Sequence, residues 1–446
     1  MTNSSGSSNN IYDAVSRSSS IKSIITEQGA LTRVPSLIEQ YFNNRHVFLI
    51  GDENTFSAAG NRLGKILSKH SLTWDCFIFP AKPHLKGSVE NANAFTRKLK
   101  ESNGVPVSVG SGVINDLVKY AAFQLGLPYL CVATAASMDG YASAGSPLSQ
   151  KGFKHTINCA PPSVIIADLE IIADAPPEMA SWGYGDLGGK VPAGADWLIA
   201  DTLGIEPIDE IAWPLIQHNL KSWIDDPVGV AARETEAIKH LLTGLLLSSI
   251  AMEFHKSSRP ASGSEHQIAH MWEMDSLEKD GEPVSHGSCV AIGTLSILYL
   301  YRWLLKQNFT TLDADRIIKE RRQLDDLKHE IDERFTSEAV AKRAFLEVEA
   351  KFVDDRVLFD RINLIKTRWP DLKKRLTDFF NPYKNLEDDL RTAGVETDPM
   401  AVGISRKYYR QTVIGARLIR RRYTILDLLE ETGCFDKAVD ELFPLN

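Results

Sequence analysis

Three histidines crowd into two short segments, SGSEHQIAHMWEM and EPVSHGSCVAIG, as His266, His270 and His286. His266 and His270 are four residues apart, so on a helix both imidazoles leave one face and can reach a common centre. Upstream, GYGDLGGKVPAGADW sets Asp186 among glycines, ahead of Lys190 and Asp196. Glycines beside an acid remove side chains that would crowd a bound ion or ligand. Taken singly these residues have plainer uses: an Asp ahead of a helix caps it, and a His packs in a core. Taken together they offer one carboxylate and two imidazoles, which leaves coordination positions open as a catalytic metal site requires; a structural zinc site is closed, usually by cysteines. Such a metal polarises a carbonyl and stabilises the alkoxide that develops as hydride arrives, which is reductase chemistry. Gln267 stands where a zinc protease of HExxH type carries its general-base Glu, so peptide hydrolysis by that scheme is disfavoured.

Two more motifs follow strand-like runs. In PVSVGSGVINDLVKY an apolar strand meets Gly110, Ser111 and Gly112 and then opens a helix. Small residues there let backbone N–H groups approach a phosphate at a helix N-terminus. Asn115 replaces the third glycine of GxGxxG, so this is not the standard dinucleotide fingerprint, and a plain strand-to-helix turn has the same look. TAASMDGYAS, Thr134 to Ser143, leaves the strand PYLCVA carrying several hydroxyls and Asp139. Loops at the carboxyl ends of parallel strands bind ligands, although a Ser/Thr/Asp-rich loop also serves as simple turn chemistry.

The elements that must position these motifs change type along the chain. From His46 to about Asp174, HVFLI, CFIFP, PVSV, PYLCVA and SVIIAD alternate with amphipathic stretches, the pattern of parallel strands joined by crossover helices. No Asn-Gly type dipeptide links two strand-like runs, so tight antiparallel connections are not expected. Beyond Asp174 the apolar spacing is helical, as in AIKHLLTGLLLSSIAMEF. Pro176 and Pro177 mark the change. The sequence therefore predicts a disordered Ser/Asn-rich extension over 1–24, an α/β cofactor-binding domain with a parallel, Rossmann-like sheet over 25–176, and an all-α metal-binding and substrate domain over 177–446. The active site is expected in the cleft between the two, where a nicotinamide ring meets the metal.

Composition narrows the function. Lys plus Arg number 50 against 58 Asp plus Glu, a net charge of -8, so a polyanionic partner such as nucleic acid is disfavoured. The five cysteines are far apart with no CxxC pair, which fits a reducing, cytoplasmic setting. The longest apolar run, Cys289 to Leu305, is short for a membrane span and contains Arg302, which makes it a core helix. The charge-dense segment Asp313 to Glu349 reads as a solvated helix face.

With GDENT, VGSGVINDLVK, TAASMDGYAS, GYGDLGGKVPAGADW, SRPASGSEHQIAH and SHGSCVAIGT in this order, the chain from about His46 to Leu305 resembles the iron-containing alcohol dehydrogenase superfamily. Within it the resemblance is to the sn-glycerol-1-phosphate dehydrogenases, including bacterial members encoded near arabinose genes. It implies a dehydroquinate synthase-like architecture and the reversible reduction of dihydroxyacetone phosphate to sn-glycerol 1-phosphate. It implies NAD(H) or NADP(H), with Gly110, Ser111, Gly112, Val113 and Ile114 meeting the pyrophosphate and Asp52, Thr134, Ala135, Ala136, Ser137 and Ser143 contributing further contacts. It implies one divalent ion, zinc or nickel with iron in more distant relatives, on Asp186, His266 and His286, with Asp139, His270 and again Asp186 against the substrate. Asp186 and His270 are then the catalytic pair. Lys82, after the second strand run, is no acid that would repel a 2′-phosphate, so both cofactors are expected to serve. A homo-oligomer without nucleic-acid partner or membrane span is expected. Arg259 or Lys190 is expected to take the substrate phosphate. The competing enzymes are a glycerol dehydrogenase, whose substrate has no phosphate, and a dehydroquinate synthase-like lyase, which usually carries Glu where Asp186 stands.

Overall fold

The computed structural model describes residues 6–42, 46–150 and 153–445. Six strands form in this part of the chain: β1 (Ser23–Glu27), β2 (His46–Asp52), β3 (Thr73–Phe79), β4 (Val105–Gly110), β5 (Leu130–Ala133) and, after a hairpin, β8 (Val164–Asp168); the apolar runs of β2, β4, β5 and β8 are buried on both faces, whereas the edge strands β1 and β3 are only partly buried. They make one parallel sheet in the order β1-β8-β5-β4-β2-β3. Burial on both faces is what a parallel sheet covered by crossover helices requires.

The hairpin departs from expectation. β6 (Gly145–Gln150) and β7 (Phe153–Asn158) pair antiparallel from Gly145 with Asn158 to Gln150 with Phe153. Its signal was alternation, with Ser146 and Leu148 buried and Pro147 exposed, rather than an Asn-Gly turn.

The amino-terminal stretch also differs. Residues 1–5 of the expected disordered segment 1–24 lie outside the described residues, but Gly6–Arg17 is a helix and β1 starts at Ser23. Ile11 and Ala14, one helical turn apart, are buried, and the Ser18 hydroxyl donates to the Glu253 carboxylate at 2.9 Å. A single apolar stripe suffices to dock a polar helix, which is why Ser/Asn-rich composition misled.

By packing, the chain forms two compact units. One comprises residues 1–187, 214–258 and 392–394; the other comprises 188–213, 259–391 and 395–446. The strands end before Pro176, whereas the first unit keeps the helix Pro177–Gly188 and the long apolar helix Thr235–His255. The second unit is helical apart from a two-residue hairpin. The helix His286–Leu304 is its buried core element, as the run from Cys289 predicts, and packs with Ile268, Trp272, Trp369 and Leu426. Helices of this length and hydropathy can cross a membrane, but both apolar ones are mostly buried within the chain. In the charge-dense segment most charges are exposed; Arg321, Arg322, Glu330 and Arg334 are partly buried, and Glu347 is buried at 3%.

Candidate functional site

At the carboxyl edge of the sheet the chain runs from β2 outward to β3, then crosses back to β4 on the other side of β2. The ends of β2 and β4 therefore flank the point where strand order reverses, the crevice in which open parallel sheets take ligands. Asp52 ends β2, Gly110 ends β4 and Thr134 follows β5, with the Thr134 N–H donating to the Gly110 carbonyl at 3.3 Å. A Cβ on Gly110 would stand 2.6 Å from the Ile114 side chain, so only glycine lets the helix Gly112–Leu125 begin this close to the strand. Ser111 sits at its N-cap and makes no capping bond with its hydroxyl. Ile114, Ala135 and Ala136 are buried, while Val113 and Ser137 are partly exposed. The Asp52 carboxylate accepts from the Thr55 N–H at 2.8 Å as the cap of a short helix.

Ser143, expected to contribute a cofactor contact, is also bonded within its own loop. Its hydroxyl donates to the carbonyls of Gly140 and Gly145 and accepts from Lys119 Nζ at 3.2 Å. Lys119, fully buried, also donates to the Gly140 and Gly145 carbonyls at 3.0 and 2.9 Å. Ser143 and Lys119 thus tie down the loop that carries Asp139; Lys119 closes the VGSGVINDLVK run and also pairs with Asp116 at 3.2 Å, but nothing in that run shows that it will reach the carbonyls of a distant loop.

The helix Pro177–Gly188 lies directly on that loop: a Cβ on Gly183 would come within 2.0 Å of the Ala136 carbonyl oxygen. One turn later Asp186, fully buried inside the helix rather than capping it, accepts from the Asp139 N–H through Oδ2 at 2.9 Å.

His266 and His270 occupy one face of the helix Ser264–Met274, and His286 opens the next long helix, capped by Ser285. One carboxylate oxygen of Asp186 and one ring nitrogen each of His266 and His286 lie within 4.8 Å of one another. The His266 and His286 ring centroids are 5.3 Å apart; His270 stands 5.9 Å from His266 and 6.3 Å from His286. Each of the two outer rings is tethered. His266 Nδ1 meets Glu265 Oε1 at 2.7 Å, and His286 Nδ1 meets Glu273 Oε1 at 2.5 Å. A carboxylate on one ring nitrogen fixes the tautomer and leaves the other nitrogen as a basic donor, the arrangement that metal-binding histidines use. The donor set therefore fits a divalent ion, and carboxylate with imidazole does not choose among zinc, nickel and iron. Glu265 and Glu273 were missed in the sequence: both are visible as letters beside the histidines, but acids are common on helices and only the folded packing aims these two at the rings.

His270 behaves differently. Burial pushes its imidazole well below the usual range, Glu273 opposes this, and the charges of Arg420, His266 and His286 add to the depression. Its Nδ1 is buried without a hydrogen-bond partner among the described residues. The ring is thus held neutral, keeping one N–H to give and one lone pair to offer.

The remaining charged candidates serve the scaffold. Asp196 Oδ2 accepts from the N–H and hydroxyl of Ser264, both at 2.7 Å, and Oδ1 accepts from Tyr301 and from the Ile425 N–H. Burial first, and then neighbouring Glu265, raise its carboxyl to about 6. It secures the first turn of the helix that carries His266 and His270. Arg259, fully buried, donates to the Tyr423 and Asp196 carbonyls at 3.1 Å each and pairs with Glu206 at 3.2 Å. Its guanidinium is built into the interior, so it does not supply the phosphate clamp expected of it. Lys190 is likewise fully buried, at the start of the helix Lys190–Thr202.

A family model for iron-containing alcohol dehydrogenase matches residues 25–176. The glycerol-1-phosphate dehydrogenase (NAD(P)+) of Bacillus subtilis (strain 168) is 35% identical over 273 residues, 60% of this chain and 68% of that protein. Among solved structures, maleylacetate reductase from Rhizobium sp. strain MTP-10005 superposes with a TM-score of 0.61 at 14% identity, covering 96% of this chain and 98% of that one. Sulfoacetaldehyde reductase from Bifidobacterium kashiwanohense in complex with NAD+ gives 0.57 at 15% identity, with coverage of 96% and 98%. The chain belongs to the iron-containing alcohol dehydrogenase family, and as such it is an oxidoreductase. The solved structures bear on the fold alone: a parallel α/β part followed by a helical part.

Proposed function

We propose that this chain reduces dihydroxyacetone phosphate to sn-glycerol 1-phosphate, reversibly, using NADH or NADPH and one divalent ion held by Asp186, His266 and His286. The observation that carries the reading is the cluster of one buried carboxylate and two imidazoles whose outer nitrogens are fixed by Glu265 and Glu273. Support for the substrate comes from the name borne by the Bacillus subtilis relative. Support for the cofactor comes from that name, from the neighbour crystallised with NAD+, and from the glycine turn at the sheet edge.

A bound ion would supply Lewis-acid polarisation of the ketone carbonyl. The reduced nicotinamide would supply the hydride. The chain itself orients and handles protons. Asp186, anchored by the Asp139 N–H, cannot swing away from the cluster without giving up that bond. His270, neutral because it is buried, offers an N–H to a substrate oxygen without adding a positive charge beside an ion. Lys119 and Ser143 keep the loop of Asp139 in one conformation. A reducing, cytoplasmic setting suits the five free cysteines.

The test is NADH and NADPH oxidation by purified protein loaded in turn with zinc, nickel and iron, followed by chiral analysis of the product. The expected outcome is turnover of dihydroxyacetone phosphate to the sn-1 enantiomer. Exclusive sn-3 product, a preference for unphosphorylated dihydroxyacetone, or no turnover with any of the three metals overturns the proposal.

A further inference from the structure

A phosphorylated ketone brings a dianion that needs a cation, and Arg259 is already engaged inside the protein. Three consecutive arginines, Arg420, Arg421 and Arg422, have unlike fates. Arg421 gives Nε and Nη2 to Glu347 at 2.9 and 3.2 Å, and its backbone N–H to the same carboxylate at 3.0 Å. Arg422 donates to the Ser262 carbonyl. Arg420 makes neither a hydrogen bond nor an ion pair with any described residue, and its side chain is exposed. Glu347, the acid that acts most strongly on Arg420, is already met by Arg343 and Arg421, so Arg420 is not needed to neutralise it.

The position of Arg420 is fixed by its neighbours in sequence. Arg422 holds Ser262, the Tyr423 carbonyl accepts from Arg259, and the Ile425 N–H donates to Asp196, the residue that also binds Ser264. Ser262 and Ser264 lead directly into the helix that bears His266 and His270. The 420–425 segment is therefore laced to the approach of that helix. Arg420 is also close enough to act electrostatically on His270 and on Glu273, the tether of His286.

We propose that Arg420 is the phosphate-binding residue of this site and the one that separates phosphorylated from unphosphorylated trioses; this rests on the functional reading above. An unspent planar guanidinium within electrostatic reach of His270, the proposed substrate-handling histidine, presents the paired donors that a phosphate accepts.

The experiment compares the parent with Arg420→Ala, Arg420→Lys and the neighbouring charge control Arg421→Ala, using dihydroxyacetone phosphate and dihydroxyacetone. Metal content, NADH affinity and melting temperature are recorded for each. Arg420→Ala is expected to raise KM for dihydroxyacetone phosphate about 10- to 100-fold, the range for hydrogen bonds to a charged group, and to leave KM for dihydroxyacetone unchanged. Arg420→Lys, which keeps a point charge and the parent's melting temperature, should recover part of the loss, and Arg421→Ala should match the parent. If the parent turns over dihydroxyacetone phosphate while Arg420→Ala keeps its KM within about twofold, or if both ketones suffer equally, the inference falls and the functional reading stands. If the parent does not reduce dihydroxyacetone phosphate at all, the functional reading falls. Calorimetric binding of inorganic phosphate then decides separately: loss of binding in Arg420→Ala supports the assignment, and undiminished binding overturns it.

Discussion

The edge of the parallel sheet and the histidine cluster are made of opposite materials. At the sheet edge the candidate ligand-facing groups are backbone, at the small residues Gly110, Gly112, Ala135 and Ala136, and the recurring device is the missing side chain. In the cluster the working groups are side chains, and each of the three candidate metal ligands is held from behind: Asp186 by the Asp139 N–H, His266 by Glu265, His286 by Glu273. A backbone site is ruined by adding atoms, whereas a side-chain site is ruined by removing them. Variants of the two regions should therefore fail in opposite ways.

The largest effect is expected in the cluster. His286→Ala removes one of the three proposed protein ligands, so purified variant protein should carry almost no metal by elemental analysis, while NADH affinity stays near that of the parent. Glu273→Gln sharpens the point, because the amide oxygen can still accept from Nδ1 and only the negative charge behind the ring is lost. Metal affinity should then fall by about 10- to 100-fold, a weakening that excess metal restores. Full metal occupancy in His286→Ala would mean that the ligands are other residues. Undiminished affinity in Glu273→Gln would mean that the tether is incidental.

Next comes the sheet edge. In Gly110→Ala the new methyl meets Ile114 at 2.6 Å, so either the first turn of the helix Gly112–Leu125 or the end of β4 must shift. Overpacking of this kind costs about 1–3 kcal/mol, and here it also displaces the N–H groups that would face a pyrophosphate. Fluorescence titration should show NADH binding weakened at least as much as stability, with metal content untouched. An unchanged dissociation constant would remove the glycine turn from the cofactor site.

The same contrast explains what could be read in advance. Strand ends followed by small residues are local in sequence, so the turn at Gly110, the loop at Thr134 and the parallel sheet were legible from period and composition. His266 and His270 were legible as a helical pair for the same reason. What local pattern could not reveal were partners brought by packing: Glu265 and Glu273 behind the rings, Lys119 under the Asp139 loop, and Arg420, the one arginine of its triplet without a hydrogen bond or ion pair among the described residues. Arg259 looked available as a cation because nothing in SRPASGSEH indicates that Glu206 and two carbonyls will surround it. The hairpin β6–β7 and the amino-terminal helix were missed because each depends on a few alternating or periodic apolar positions within an otherwise polar stretch.

The smallest expected effect is the most discriminating one for the sheet edge. Ser111 stands at the N-cap between two glycines, the only place in the turn where a side chain competes with the backbone for a bound phosphate. Its hydroxyl makes no capping bond, and its backbone is extended, with φ at −96° and ψ at −156°, which alanine adopts without strain. Ser111→Ala should therefore leave the melting temperature unchanged. If the cofactor is held by backbone N–H groups, NADH affinity should fall by less than about threefold, below the value of a single neutral hydrogen bond. Gly110→Ala, which adds one carbon at the adjacent residue, should exceed it clearly. A tenfold or greater loss in Ser111→Ala, at constant melting temperature, would place the hydroxyl on the cofactor phosphate and make the sheet edge a side-chain site after all.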